Sequence, residues 1–184
     1  MKTEYFHNHE QLAQDETLFL RSPEPEDLEL LFEMENDTDM WEVGSTLLPY
    51  SRYTLREYLQ NSRQDLFAER QARFVIELNS GEKTGFIDLV EYDPINSRAE
   101  VCIGLLGKWR NKGIATKALA LVCNYAMNKL HIHQLYSYIP EKNEASYRLF
   151  EKAGFAESAV LKQWLRKGDE YTNVYLMQKI GVKE

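Results

Sequence analysis

The chain has 184 residues, 43% hydrophobic and 28% charged, with a formal net charge of −7; this balance excludes wholesale disorder and fits one domain that buries about 70% of the surface its unfolded form exposes. No stretch approaches the length of a membrane span and the opening residues lack the apolar core of a signal peptide, so membrane association and export are not expected and the chain reads as cytoplasmic. Residues 1–50 carry 13 Asp or Glu against Lys2 and Arg21 alone, while the mildly basic remainder holds no basic stripe, which argues against a nucleic-acid partner.

Residues 1–16 are polar and irregular and read as an N-terminal extension; a single domain is expected over 17–184. It opens with a short strand at 17–21. Ser22-Pro23-Glu24-Pro25-Glu26-Asp27 reads as a helix entry, its acids gathered where the helix dipole favours them, and Leu28, Leu31, Phe32 and Glu35 follow at helical spacing. A second helix is expected over roughly 55–70. The period then changes to two, and 73–78, 84–91 and 98–106 read as an antiparallel meander. Ile114, Ala118, Leu121, Val122 and Tyr125 mark a helix packed on a sheet. A strand at 134–139, a short helix between Asn143 as N-cap and Gly154 as C-cap, and a hairpin of 159–164 with 171–177 complete the chain. The pattern describes a mixed α/β (α+β) sheet with helices on both faces. Cys102 and Cys123 share no paired spacing and read as buried free thiols. His131 and His133 stand without further ligands, so no metal site is expected.

The most informative stretch is Arg110-Asn111-Lys112-Gly113-Ile114-Ala115, where a strand gives way to a helix. The first helical N–H groups have no internal acceptor, glycine permits close backbone approach, and Arg110, Lys112 and Lys117 supply positive charge. A phosphate-bearing cofactor suits such a loop. The spacing is neither a Rossmann glycine fingerprint nor a P-loop.

Arg110-x-x-Gly113-x-Ala115, followed thirty residues on by Asn143-Glu144-Ala145-Ser146 and then Gly154-Phe155, resembles the GNAT acyltransferase superfamily, nearest its ribosomal-protein and spermidine acetyltransferase branches. The resemblance spans about residues 17–180. It implies a mostly antiparallel sheet of about seven strands with a splayed cleft for acetyl-CoA. In that cleft the backbone of Val101, Ile103 and Leu105 would meet the pantetheine arm, with Gly104 compatible with a bulge. Arg110, Asn111, Lys112, Gly113, Ile114, Ala115 and Thr116 would hold the diphosphate, and Asn143, Ser146 and Lys152 complete the cofactor set.

Acyl transfer to an amine needs a neutral nucleophile, a stabilised oxyanion and a proton for the departing thiolate. Glu100 is the first candidate for the base and Glu91, at the end of the preceding strand, the second. A backbone N–H near Leu105 or Leu106 would polarise the carbonyl. The tyrosine that many members place four residues before Gly-Phe is Phe150 here, which cannot donate a proton. Tyr147, one turn earlier, substitutes only if its ring reaches the sulfur; otherwise it is helix-face packing. The acidic run Glu33, Glu35, Asp37, Asp39 and Glu42 falls where the superfamily borders its acceptor, with Glu33, Glu35 and Glu42 as the substrate-binding candidates. The expected acceptor is a small-molecule di- or polyamine such as spermidine. A protein N-terminus, as in the ribosomal-protein branch, and a non-catalytic CoA-binding regulatory domain stay open as alternatives, as does a homo-oligomer.

Overall fold

The computed structural model describes residues 11–38, 48–62 and 65–181. The stretches of period two assemble into one sheet of eight strands in the order β1-β2-β3-β4-β5-β6-β8-β7. These are β1 (Gln11–Gln14), β2 (Leu18–Arg21), β3 (Ala72–Leu78), β4 (Lys83–Asp93), β5 (Arg98–Leu105), β6 (Gln134–Pro140), β7 (Ala156–Lys167) and β8 (Glu170–Ile180). Every neighbouring pair is antiparallel except β5 with β6.

Alternation sends the apolar side chains of each central strand to two faces. On one, Leu20, Phe74, Ile76, Ile87, Leu89 and Val101 pack against α4 (Ile114–Asn128), which contributes Ala118, Leu119 and Val122. On the other, Val75, Phe86 and Leu106 meet α1 (Leu28–Glu35) through Leu30, Leu31 and Met34, and α2 (Arg52–Asn61) through Leu55. Two further α-helices are α3 (Leu66–Glu69) and α5 (Glu144–Lys152).

Three differences from the sequence reading have local causes. Residues 11–14, assigned to the extension, form the edge strand and raise the count from seven to eight: Asp15 Oδ1 accepts from the N–H groups of Thr17 and Leu18 at 2.6 and 2.8 Å, closing a turn that pairs β1 with β2. The single helix expected over 55–70 is two, α2 starting earlier on the Ser51 cap and α3 starting afresh on Asp65, whose carboxylate accepts from Phe67 and Ala68 N–H. Gly104 makes no bulge. It lies in regular pairing with Phe86, its carbonyl pressed against Gly85, where a Cβ would collide. The irregularity falls instead on β4 between Val90 and Asp93.

The entry to α1 is pinned by buried charge. Arg21 is 2% exposed and Asp27 fully buried; the guanidinium grips both Asp27 oxygens at 2.7 and 2.9 Å and donates to Glu77 at 2.7 Å. Lys83 adds a contact to Asp27 at 2.5 Å. Burial alone raises a carboxyl pKa, but Arg21 and Lys83 outweigh it and bring Asp27 down to about 2. The network therefore stabilises the fold above the ordinary aspartate range and loses its effect as pH falls from about 4 towards 2, a contribution on the order of 2 kcal/mol. In urea denaturation at pH 7, Asp27→Asn is expected to cost on the order of 3 kcal/mol by removing the buried carboxylate shared by Arg21 and Lys83, and the deficit should shrink as the pH is lowered through that range.

Candidate active site

Parallel pairing between β5 and β6 is confined to Arg98, Ala99 and Glu100 opposite Gln134, Leu135 and Tyr136. Beyond Glu100 the strands part, while β5 stays paired with β4 to Leu105 and β6 with β8 to Pro140. Leu106 N–H donates to Thr84 O at 3.0 Å, so on β5 the even residues Glu100, Cys102 and Gly104 bond to β4. The backbone groups of Val101, Ile103 and Leu105 consequently point towards β6; the Glu100–Tyr136 pairing takes Val101 N–H, and past it no described strand receives Val101 C=O or the groups of Ile103. Leu105 O is taken by Arg110 Nε at 3.0 Å.

The opening is a cleft of about 470 Å³ whose lining includes Glu35, Arg73, Asp88, Glu100, Cys102 and Ile103. Asn143 and Ser146 reach it from the start of α5 and Phe150 from near its end. Asn143 Oδ1 accepts from Ser146 N–H at 3.1 Å, so the residue caps α5 and lines the cleft at once. Phe150 is 2% exposed and packs edge-on against Phe155.

At the strand-to-helix junction Asn111 and Gly113 adopt left-handed backbone, with φ of 60° and 78°. The first helical bond of α4 is donated by Lys117 N to Gly113 O at 3.3 Å. The N–H groups of Ile114, Ala115 and Thr116 precede it and have no acceptor within the helix. The basic side chains are arranged unevenly. Arg110 turns back to Leu105 O and to Asp37 at 3.3 Å. Lys117 bridges to Thr17 and Asp15, whereas Lys112 lies over the Trp109 ring, 4.7 Å from its centroid. Two of the three cations expected at a phosphate thus brace the loop. Lys152 is exposed at the end of α5 and does not line the cleft.

Of the acid–base candidates, Glu100 lies on the cleft floor and accepts from the Cys102 thiol at 3.6 Å. Burial raises its pKa above the ordinary glutamate range; the Cys102 contact works against this, and the Glu91 charge reinforces it. Glu91 is exposed on the β4 irregularity, in left-handed backbone with φ of 49°, and outside the cleft lining. Tyr147 is also turned away: its hydroxyl donates to Glu157 at 3.1 Å and its ring packs on Tyr175, in a separate surface hollow with Glu141 and Arg148. Leu106 N–H is spent on Thr84, which leaves Leu105 as the amide of that pair directed towards β6. Glu33 is exposed on α1, Glu35 lines the cleft, and Glu42, like Asp39, lies outside the described residues.

Sequence reasoning passed over Arg73 and Asp88. Arg73 bonds Asp88 through Nε and Nη2 at 3.0 and 2.9 Å and Glu35 through Nη1 at 2.7 Å. Burial disfavours the guanidinium charge, but Asp88 and Glu35 more than compensate and raise its pKa. Their alternation with buried apolar neighbours on β3 and β4 was the available signal, because it puts both on the face that α1 covers. Among the described residues no cluster of His, Cys, Asp and Glu is arranged to hold a metal.

The fit to coenzyme A can be judged from the strands and the loop. Pantetheine amides need alternate donors and acceptors along an extended line, which the Val101 carbonyl and the backbone of Ile103 present on an edge with no described strand opposite. A diphosphate needs N–H groups without acceptors, and these open α4. Known proteins agree. Residues 17–156 match the family described as Acetyltransferase (GNAT) domain. The chain is 28% identical to a spermidine N(1)-acetyltransferase of Escherichia coli over 158 residues, covering 86% of this chain and 83% of that one. It is 26% identical to a putative ribosomal N-acetyltransferase of Bacillus subtilis, covering 82% and 84%. The spermidine N-acetyltransferase of Vibrio cholerae, solved in complex with CoA and spermine, superposes with a TM-score of 0.78 at 24% identity, covering 90% and 96%. Family match, splayed sheet and N–H cradle lead to one conclusion: the chain belongs to the GNAT family and is an N-acetyltransferase whose acetyl donor is acetyl-CoA.

Proposed function

We propose that the acceptor is a di- or polyamine, one amine of which attacks the thioester in the cleft while the donor is bound beside it. The observation that carries this reading is the charge of the lining: the carboxylates of Glu35, Asp88 and Glu100 outnumber the single guanidinium of Arg73. A polycation is attracted to such a wall, and the similarity to spermidine acetyltransferases supports the same class.

The donor supplies an acetyl group activated as a thioester. The chain supplies the rest. An alkylammonium near pKa 10 must lose a proton before it attacks, and Glu100, half-buried with a raised pKa, is the base. A gap-facing N–H of β5 other than the one bonded to pantetheine polarises the carbonyl. With Phe150 in the tyrosine position and Tyr147 turned outward, proton return falls to Ser146 or water. A thiolate of pKa near 8.5 leaves without a strong acid.

Acetyl transfer from labelled acetyl-CoA to spermidine, putrescine and ribosomal N-terminal peptides tests the proposal: transfer to the amines is expected, and transfer to the peptides alone would refute it. Glu100→Gln should lower kcat/KM by about 100-fold. Because the base works only when ionised, the wild-type rate should fall as pH drops through the raised glutamate pKa, and the variant should lose that limb of the profile. Gly113→Glu places a side chain at a φ of 78° and a carboxylate before the diphosphate; calorimetry should show CoA affinity reduced by about tenfold or more.

A further inference from the structure

One wall of the cleft is unexplained by acid–base chemistry. Tyr138 and Trp164 both line it, and they are 37% and 58% exposed. Their rings stack with centroids 6.3 Å apart at 22°, and Tyr138 in turn meets Tyr136 edge-on at 5.6 Å. Glu100 and Tyr136 are register partners, so Tyr136 and Tyr138 project on the same face as Glu100. The aromatic row therefore runs along the side of the sheet where the carboxylates stand.

Trp164 reaches this wall through a distortion. In a regular strand Trp164 and Leu165 point to opposite faces, yet both line the cleft. The pairing of β7 with β8 passes from Leu161 opposite Val174 to Leu165 opposite Thr172, so Lys162, Gln163 and Trp164 face Asn173 alone. Gln163 takes up the surplus in left-handed backbone with φ of 53°, and Asn173 Oδ1 accepts its N–H at 2.9 Å. Non-glycine residues adopt this conformation at a cost. Here that cost accompanies a large apolar side chain held over the cleft and left open to solvent.

Aromatic faces opposite carboxylates suit a hydrocarbon chain that carries more than one ammonium: the methylenes lie on the rings and a distal cation sits over a ring face. We infer that Trp164, seated on Tyr138, is a specificity-determining residue that holds the distal segment of the acceptor while Glu100 serves the reacting amine. This rests on the polyamine reading and deepens it. The wall then selects for acceptor length, since a short monoamine reaches Glu100 without touching Trp164.

Steady-state kinetics with butylamine, putrescine and spermidine on the wild type, Trp164→Ala and Trp164→Phe tests the inference. Trp164→Ala should raise KM for spermidine about tenfold with kcat within about twofold, should move KM for butylamine less than about twofold, and Trp164→Phe should recover most of the loss. An unchanged spermidine KM, or an equal loss on all three amines, would overturn the aromatic wall while leaving the polyamine reading in place. No turnover of putrescine or spermidine by the wild type would overturn both.

Discussion

Backbone groups deprived of a partner are costly inside a protein, and β5 carries a row of them. Its inward half pairs with β6 for three residues and then loses that neighbour, while β4 continues to hold its other edge to Leu105. The unpaired edge persists because the gap is an open cleft rather than packed core. Everything functional is arranged around the parting: α5 presents Asn143 and Ser146 to it, β7 bends to reach it, and α4 begins just beyond the end of β5 with its N–H groups unspent. The two apolar layers, α4 on one face and α1 with α2 on the other, keep the half-sheets in place on either side of the opening.

Electrostatics divides the site by role. At the loop, Arg110 and Lys117 are used to brace backbone and turn, so what the loop offers an anion is chiefly oriented N–H groups, with Lys112 as the remaining basic side chain of the motif. Within the cleft, Arg73 holds Glu35 of α1 to Asp88 of β4 and thereby docks that helix on the sheet. Glu100 sits apart from that ion pair; among the described residues the Cys102 thiol bonds its carboxylate, and burial raises its pKa above the ordinary glutamate range.

Long periodic segments and punctuating residues were legible in the sequence. The meander of β3 to β5, the apolar stripe of α4, the Asn143 cap and the Gly154 stop appear where the residues place them. What escaped depended on partners distant along the chain. Gln11–Gln14 has no apolar alternation and becomes a strand only because the Asp15 turn presents it to β2. Tyr147 and Ser146 are neighbours on one helix, and only the packing of α5 sends one to the cleft and the other to Glu157. Glu91 reads as a strand end, but its own left-handed backbone, within β4, leaves it in solvent. The Arg73 clamp joins residues 35, 73 and 88, a separation that no local pattern reveals.

The account stands or falls on the free edge of β5, and backbone hydrogen exchange followed by NMR reads that edge directly. Without ligand, the N–H groups of Cys102 and Gly104, bonded to β4, should be protected and that of Ile103 should exchange rapidly. On saturation with CoA, Ile103 N–H should slow markedly, with Cys102 and Gly104 little changed. Ile103 exchange that is already slow in the free protein, or that stays fast when CoA is bound, would contradict the claim that the unpaired strand is the cofactor's binding edge.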